Sequence, residues 1–200
     1  VQFMGITSPP TLTVYSTYNS PGFAYTVLVK DGGINVDDKV YVADGAAGLR
    51  ILNVPTPSNP TEIGFLDTGG TTRDVYVAGT KAYLADDTGG LLVVNVSNPA
   101  APALLGSYDT TGDAWRVFAV GNTAYVGSSA GLHVLDVTNP ANIAELGFFD
   151  TIDSVQGLHV VGSTAYIATF SAGVRIVNVT NPANLTEVGF YDTPGIGEDL

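Results

Sequence analysis

The chain has no cysteine and two histidines, His133 and His159. Thiolate nucleophiles, disulfides and cysteine-ligated metals are therefore outside its repertoire. Proton transfer or metal ligation falls to the two histidines and to nineteen carboxylates. His133 shares a strand position with Arg50, Leu92 and Arg175, a column of mixed polarity, and reads as a surface residue. His159 shares its position with Leu28, Tyr76 and Phe118 and reads as a packing residue. Two histidines in different structural roles make a poor metal site, and no nucleophile-elbow pattern supports a serine triad. The expectation is that the chain is not an enzyme, with a channel-located hydrolase or lyase as the least favoured reading.

Acidic residues gather at Asp37-Asp38, Asp44 and Asp86-Asp87-Thr88-Gly89-Gly90. Carboxylates at turns are the chemistry of calcium sites. None of these follows an Asp-x-Asp-x-Asp-Gly spacing, and Asp and Gly are also the residues that accept turn angles. No cofactor is expected, with calcium as the secondary option. Asn95-Val96-Ser97, Asn178-Val179-Thr180 and Asn184-Leu185-Thr186 match the N-glycosylation rule, which makes Asn95, Asn178 and Asn184 acceptors if the host modifies them.

These residues are positioned by a repeat. The run Leu49–Val54 returns at 91–96, 132–137 and 174–179, while Tyr41, Tyr83, Tyr125 and Tyr166 advance by 42, 42 and 41 positions. Asp-Thr pairs begin at Asp67, Asp109, Asp150 and Asp192, advancing by 42, 41 and 42. A fixed period of this length marks a unit that cannot bury its own apolar face and must stack on copies of itself. Within one period lie four short β-rich runs, 74–78, 81–85, 91–96 and 103–108, separated by Gly, Asn, Asp and Pro. Gly79-Thr80, Gly121-Asn122 and Gly162-Ser163 read as two-residue hairpin turns. Asn-Pro after the third run, as at Asn98-Pro99, ends the pairing because proline has no N–H to donate.

Four strands per period without a helix predict an all-β fold, a β-propeller of four-stranded antiparallel blades. The blades are expected at about 21–67, 68–109, 110–150 and 151–192, with a partial blade at 1–20 and the start of another at 193–200. The register makes Val1 enter in the third strand of an earlier blade and places Leu200 just inside a first strand. The segment is accordingly expected to belong to a longer chain and to present open strand edges through which it could self-assemble.

Composition narrows the partners. The chain is 45% apolar, ample for a core, and carries a net charge of −12 with seven basic residues spread along it. Nucleic acid is not an expected partner, since binding it requires clustered Lys and Arg. No apolar run approaches the length of a membrane helix, so no insertion is expected in this segment.

Where the repeats disagree is informative. Six residues after each Asp-Thr aspartate, or its counterpart Asn19, stand Tyr25, Arg73, Trp115, Gln156 and Glu198; the next column includes Asp74 and Arg116. These positions lead into each first strand, the innermost of a blade, and should ring one mouth of the channel. Tyr, Trp and Arg are the residue types of binding hot spots, although loop ends free to drift would also vary.

The third-strand runs, with Leu132–Asp136 followed by Val137-Thr138-Asn139-Pro140-Ala141 and with Gly106-Ser107-Tyr108-Asp109-Thr110, resemble the bacterial and archaeal LVIVD repeat. The resemblance covers nearly the whole chain. It departs at Asn53, Asn95 and Asn178, where the family has Asp, and in an insertion around Lys30–Ile34. It implies a propeller in a secreted or surface-anchored protein and carries no catalytic motif. The function expected is a noncatalytic extracellular or cell-surface scaffold that binds another protein or a surface polymer. The alternative is a subunit of a surface assembly or filament joined through open blade edges.

Overall fold

The computed structural model describes residues 1–6, 12–30, 38–195, 197 and 199. Glu198 and residues 31–37, which hold most of the insertion and Asp37, lie outside the described residues. The fold is a β-propeller. Its first full blade is β3 (Thr26–Lys30), β4 (Asp38–Ala43), β5 (Leu49–Val54) and β6 (Thr61–Leu66). The second is β7 (Asp74–Ala78), β8 (Lys81–Ala85), β9 (Leu91–Asn95) and β10 (Ala103–Tyr108). The third is β11 (Ala114–Val120), β12 (Thr123–Ser128), β13 (Gly131–Asp136) and β14 (Ala144–Asp150). The fourth is β15 (Val155–Val161), β16 (Thr164–Thr169), β17 (Gly173–Asn178) and β18 (Thr186–Tyr191). Each is an antiparallel meander in chain order. A two-stranded sheet, β1 (Gln2–Ile6) with β2 (Leu12–Thr17), precedes them.

The predicted runs at 74–78, 81–85 and 103–108 are strands at those bounds, and the third ends one residue earlier, at Asn95. Gly79, Gly121 and Gly162 sit at φ of 59 to 60°, the left-handed geometry that a tight hairpin of matching twist requires. The Asn-Pro segments of the third and fourth blades form single 3-10 turns, 140–142 and 182–184. There the side chain of Asn139 or Asn181 accepts the N–H of Ala141 or Ala183.

The core lies between blades rather than within one. Tyr41, Leu49 and Ile51 of the first blade interlock with Val75, Val77, Leu84 and Val94 of the second. Tyr83, Leu91 and Val93 do the same with Val117, Ala119 and Val126, and Tyr125, Leu132 and Val134 with Val160, Ile167 and Val177. Val1, Tyr18 and Ala24 pack against Val40, Val42, Leu52 and Val54, which seats the β1–β2 sheet on the first blade. The first strands β3, β7, β11 and β15 lie side by side and form the inner wall.

A glycine in the fourth strand of each of the first three blades lets the next blade approach. A Cβ on Gly64, Gly106 or Gly147 would fall on the carbonyl oxygen of Pro99, Pro140 or Pro182 in the following blade. The Asn-Pro turn of one blade thus rests on a side-chain-free patch of its neighbour.

Two readings of histidine are corrected. His133 is 1% exposed rather than on the surface. Its Nδ1 faces Glu145 at 2.7 Å, its Nε2 meets the Thr111 carbonyl and the Ser128 hydroxyl at 3.1 and 3.2 Å, and its ring lies 4.7 Å from Phe148. Mixed polarity in its column reflects a buried polar pairing, not solvent. His159 is exposed rather than packed, with one face against Phe118 at 5.0 Å, because among the described residues no further blade covers that side of β15.

Candidate functional site

At the entrance to the first strands, Tyr25, Arg73, Trp115, Arg116, Gln156 and Phe170 line one cavity of about 340 Å³. Backbone bonds fix where these side chains start. The N–H of Tyr25 donates to the Ala43 carbonyl and that of Arg73 to the Ala85 carbonyl, both at 2.8 Å, so each residue extends its first strand by one pairing. Thr26 donates its hydroxyl to the Arg73 carbonyl at 2.9 Å, which ties the first blade to the second at the rim.

Arg73 is the centre of the arrangement. Its guanidinium lies 5.2 Å from the Tyr25 ring and 5.5 Å from the Trp115 ring, within the roughly 6 Å over which a cation is drawn to an aromatic face. Its Nη2 donates to Asp87 Oδ2 at 2.9 Å, and the Trp115 indole N–H donates to Asp87 Oδ1 at 3.3 Å. One carboxylate therefore holds both the cation and the ring above it. Asp87 does so at φ of 51°, a conformation that costs a non-glycine residue about 1–2 kcal/mol and that asparagine and aspartate tolerate best. Arg116 Nη1 donates to the Trp115 carbonyl at 2.9 Å, and the Gln156 amide donates to Ser154 Oγ at 3.1 Å.

Asp74 sits apart from the cavity. Its carboxylate is buried and accepts the N–H of Val75 and of Val117 at 2.9 Å, the second across the blade boundary. Burial raises its pKa above the ordinary carboxylate range, against the opposing pull of those N–H donors and of Arg116. Asp74 is a brace between blades. Asp44 and Asp86, read in sequence as turn residues, are also buried. Asp86 accepts the hydroxyls of Thr68 and Thr72 at 2.8 and 2.7 Å, and burial raises its pKa as well. Among the described residues no group of three or more His, Asp or Glu converges as metal ligands do.

The carboxamide oxygens of Asn95 and Asn178 accept the N–H of Ser97 and Thr180 at 2.9 Å, while Asn184 is exposed. Two contributors to the cavity region are not singled out as such by the sequence: Phe170, and the organiser Asp87, which reads there only as a turn or calcium carboxylate. Both fall in one further column, Gly45, Asp87, Ser129 and Phe170, each four residues after a repeat tyrosine. That column varies as much as the two singled out, which is the signal that would have found them.

The four blades and the inner wall that their first strands form define a β-propeller. The LVIVD repeat model matches residues 36–68, 69–110, 111–151 and 153–193, and the chain belongs to that family. No curated protein matches it in sequence. Among solved structures it is similar to the crystal structure of the computationally designed Ika8 protein, at a TM-score of 0.66 and 12% identity. That likeness covers 91% of this chain and 54% of the designed one, so the chain spans about half the length of its structural relative. No helix among the described residues is long and apolar enough to cross a membrane.

Proposed function

We propose that this segment is a noncatalytic, extracellular or cell-surface binding module that contacts another protein or a surface polymer through the cavity at its channel mouth. The observation that carries this reading is the placement of Arg73 between Tyr25 and Trp115, with Asp87 holding both Arg73 and Trp115. A preorganised Arg and aromatic cluster in a concave site is the anatomy of a binding hot spot. The test is an array of surface polymers and secreted proteins probed with the wild type and with Trp115→Ala. A binder that Trp115→Ala loses, and that Val120→Ser on the exposed end of β11 keeps, supports the reading. Binders indifferent to Trp115→Ala would count against it.

A second reading rests on the outer faces of the end blades. Tyr166 is 37% exposed, whereas its counterparts Tyr41, Tyr83 and Tyr125 are 4, 2 and 7% exposed against the following blade. Val27 and Val29 are likewise exposed where Val75 and Val77 are buried. Such faces fit assembly with further blades, and the two-stranded β1–β2 sheet offers an edge for strand addition. Sedimentation at rising concentration decides. Assembly that Tyr166→Ser abolishes favours this reading, and a persistent monomer removes it.

A further inference from the structure

The cavity stands out electrostatically from the rest of the molecule. The chain carries nineteen acidic and seven basic residues, yet the described residues lining the cavity include two arginines and no carboxylate. Elsewhere, arginines are matched by acids on the outer strands, Arg50 with Glu62 and Arg175 with Glu187. At the mouth, Asp87 likewise engages Arg73 through Nη2, at 2.9 Å, and the buried Nε atoms of Arg50, Arg73 and Arg175 alike have no acceptor among the described residues. An anion that enters here meets two guanidinium groups on an otherwise acidic surface.

The shape of the surroundings narrows the anion. A phosphate is ordinarily cradled by several backbone N–H groups or by lysine. The lining here contains no lysine; it has three aromatic rings and the Gln156 amide. Aromatic faces suit the C–H face of a ring, an amide can both donate to and accept from hydroxyls, and a guanidinium pairs with a carboxylate. At about 340 Å³ the cavity is at the small end of the roughly 300–1,000 Å³ typical of ligand sites, room for a single ring rather than a folded segment. Resting on the binding-module reading, we infer that the channel mouth takes a carboxylate carried on a hydroxylated ring, as in a uronic acid, free or within an acidic polysaccharide. Arg116 and Arg73 receive the carboxylate, Trp115, Tyr25 and Phe170 flank the ring, and Gln156 meets a hydroxyl.

Trp115 is the only tryptophan in the chain, so tryptophan fluorescence excited beyond the tyrosine absorption band reports on this cavity alone. The whole segment is titrated with galacturonate, glucuronate, their methyl esters, glucose, N-acetylglycine and a short oligogalacturonate. The expected result is a saturable change with at least one uronate that weakens at high salt. The corresponding ester, glucose and N-acetylglycine should each bind at least about tenfold more weakly, a difference of about 1.4 kcal/mol. Arg116→Gln should lose at least the same factor with its urea midpoint checked in parallel. Gln156→Leu, further from the blade brace, gives a second variant should Arg116→Gln fail to fold, and it should also bind more weakly. Tighter binding of the oligomer identifies a polysaccharide as the source, and equal binding the free sugar. Esters that bind as well as acids, N-acetylglycine that matches galacturonate, or no saturable change up to tens of millimolar would each overturn the inference. A mouth-dependent binder on the array would survive any of these, so failure of the ligand class is distinct from failure of the binding module.

Discussion

Asp74 of β7 accepts the backbone N–H of Val117 in β11 at 2.9 Å, so a buried carboxylate of one blade is tied to the main chain of the next. Its folded-state pKa lies above the ordinary value near 3.8, because burial disfavours the charge more than the N–H donors and Arg116 favour it. The contribution of this group to stability is fully present below that ordinary value and is lost as pH rises through the raised one. Asp74→Asn keeps one carbonyl acceptor and cannot ionise. Urea unfolding of both proteins across acid to neutral pH should show the wild type losing stability relative to the variant as pH increases. A difference that is flat, or of opposite slope, would refute the assignment.

The Pro140 carbonyl rests on Gly106, and the same contact recurs between Pro99 and Gly64 and between Pro182 and Gly147. Gly189 has the equivalent place in the fourth blade, but a Cβ there would meet only Ile176 of its own blade, at an ordinary distance. Gly106→Ala should therefore cost about 1–3 kcal/mol through overpacking against backbone. Gly189→Ala should change the denaturation midpoint little. Equal effects at the two sites would mean that the blade contact does not depend on the missing side chain.

Much of this architecture was legible because the period of the repeat records a physical necessity. Each blade buries its apolar face only against another, so Tyr41, Tyr83 and Tyr125 recur in matching buried places. Strand bounds followed from hairpin glycines and Asn-Pro stops, which are local in sequence. The variable columns led to the neighbourhood of the cavity, since Tyr25, Arg73, Trp115, Gln156 and Arg116 all line it. What stayed hidden were relations between columns. Asp74 shares a variable column with Arg116, yet its side chain turns into the blade boundary. His133 looked like a surface residue because its partner Glu145 is twelve positions away and on another strand.

The His133 pairing has a general form. Arg50 with Glu62 and Phe65, His133 with Glu145 and Phe148, and Arg175 with Glu187 and Phe190 occupy matching places. In the second blade these places hold Leu92, Leu104 and Ser107, so the polar pair and its ring have been exchanged as a unit. His133→Leu alone should cost about 1–3 kcal/mol, because it strands the buried groups around it. His133→Leu with Glu145→Leu should cost less than the sum of the two single changes. A double-mutant cycle measures the coupling, and strict additivity would show that the pair does not act together.

The central claim, that binding occurs where repetition fails, is tested most directly by mapping backbone amide shifts of the isotope-labelled chain on addition of an array-identified binder. The account predicts that saturable shifts concentrate at Tyr25, Arg73, Trp115, Arg116, Gln156 and Phe170, with the single indole N–H resonance of Trp115 among the largest. Shifts that leave this cluster unmoved and fall instead on Tyr166, Val174 and Tyr191 at the outer face of the fourth blade would contradict it.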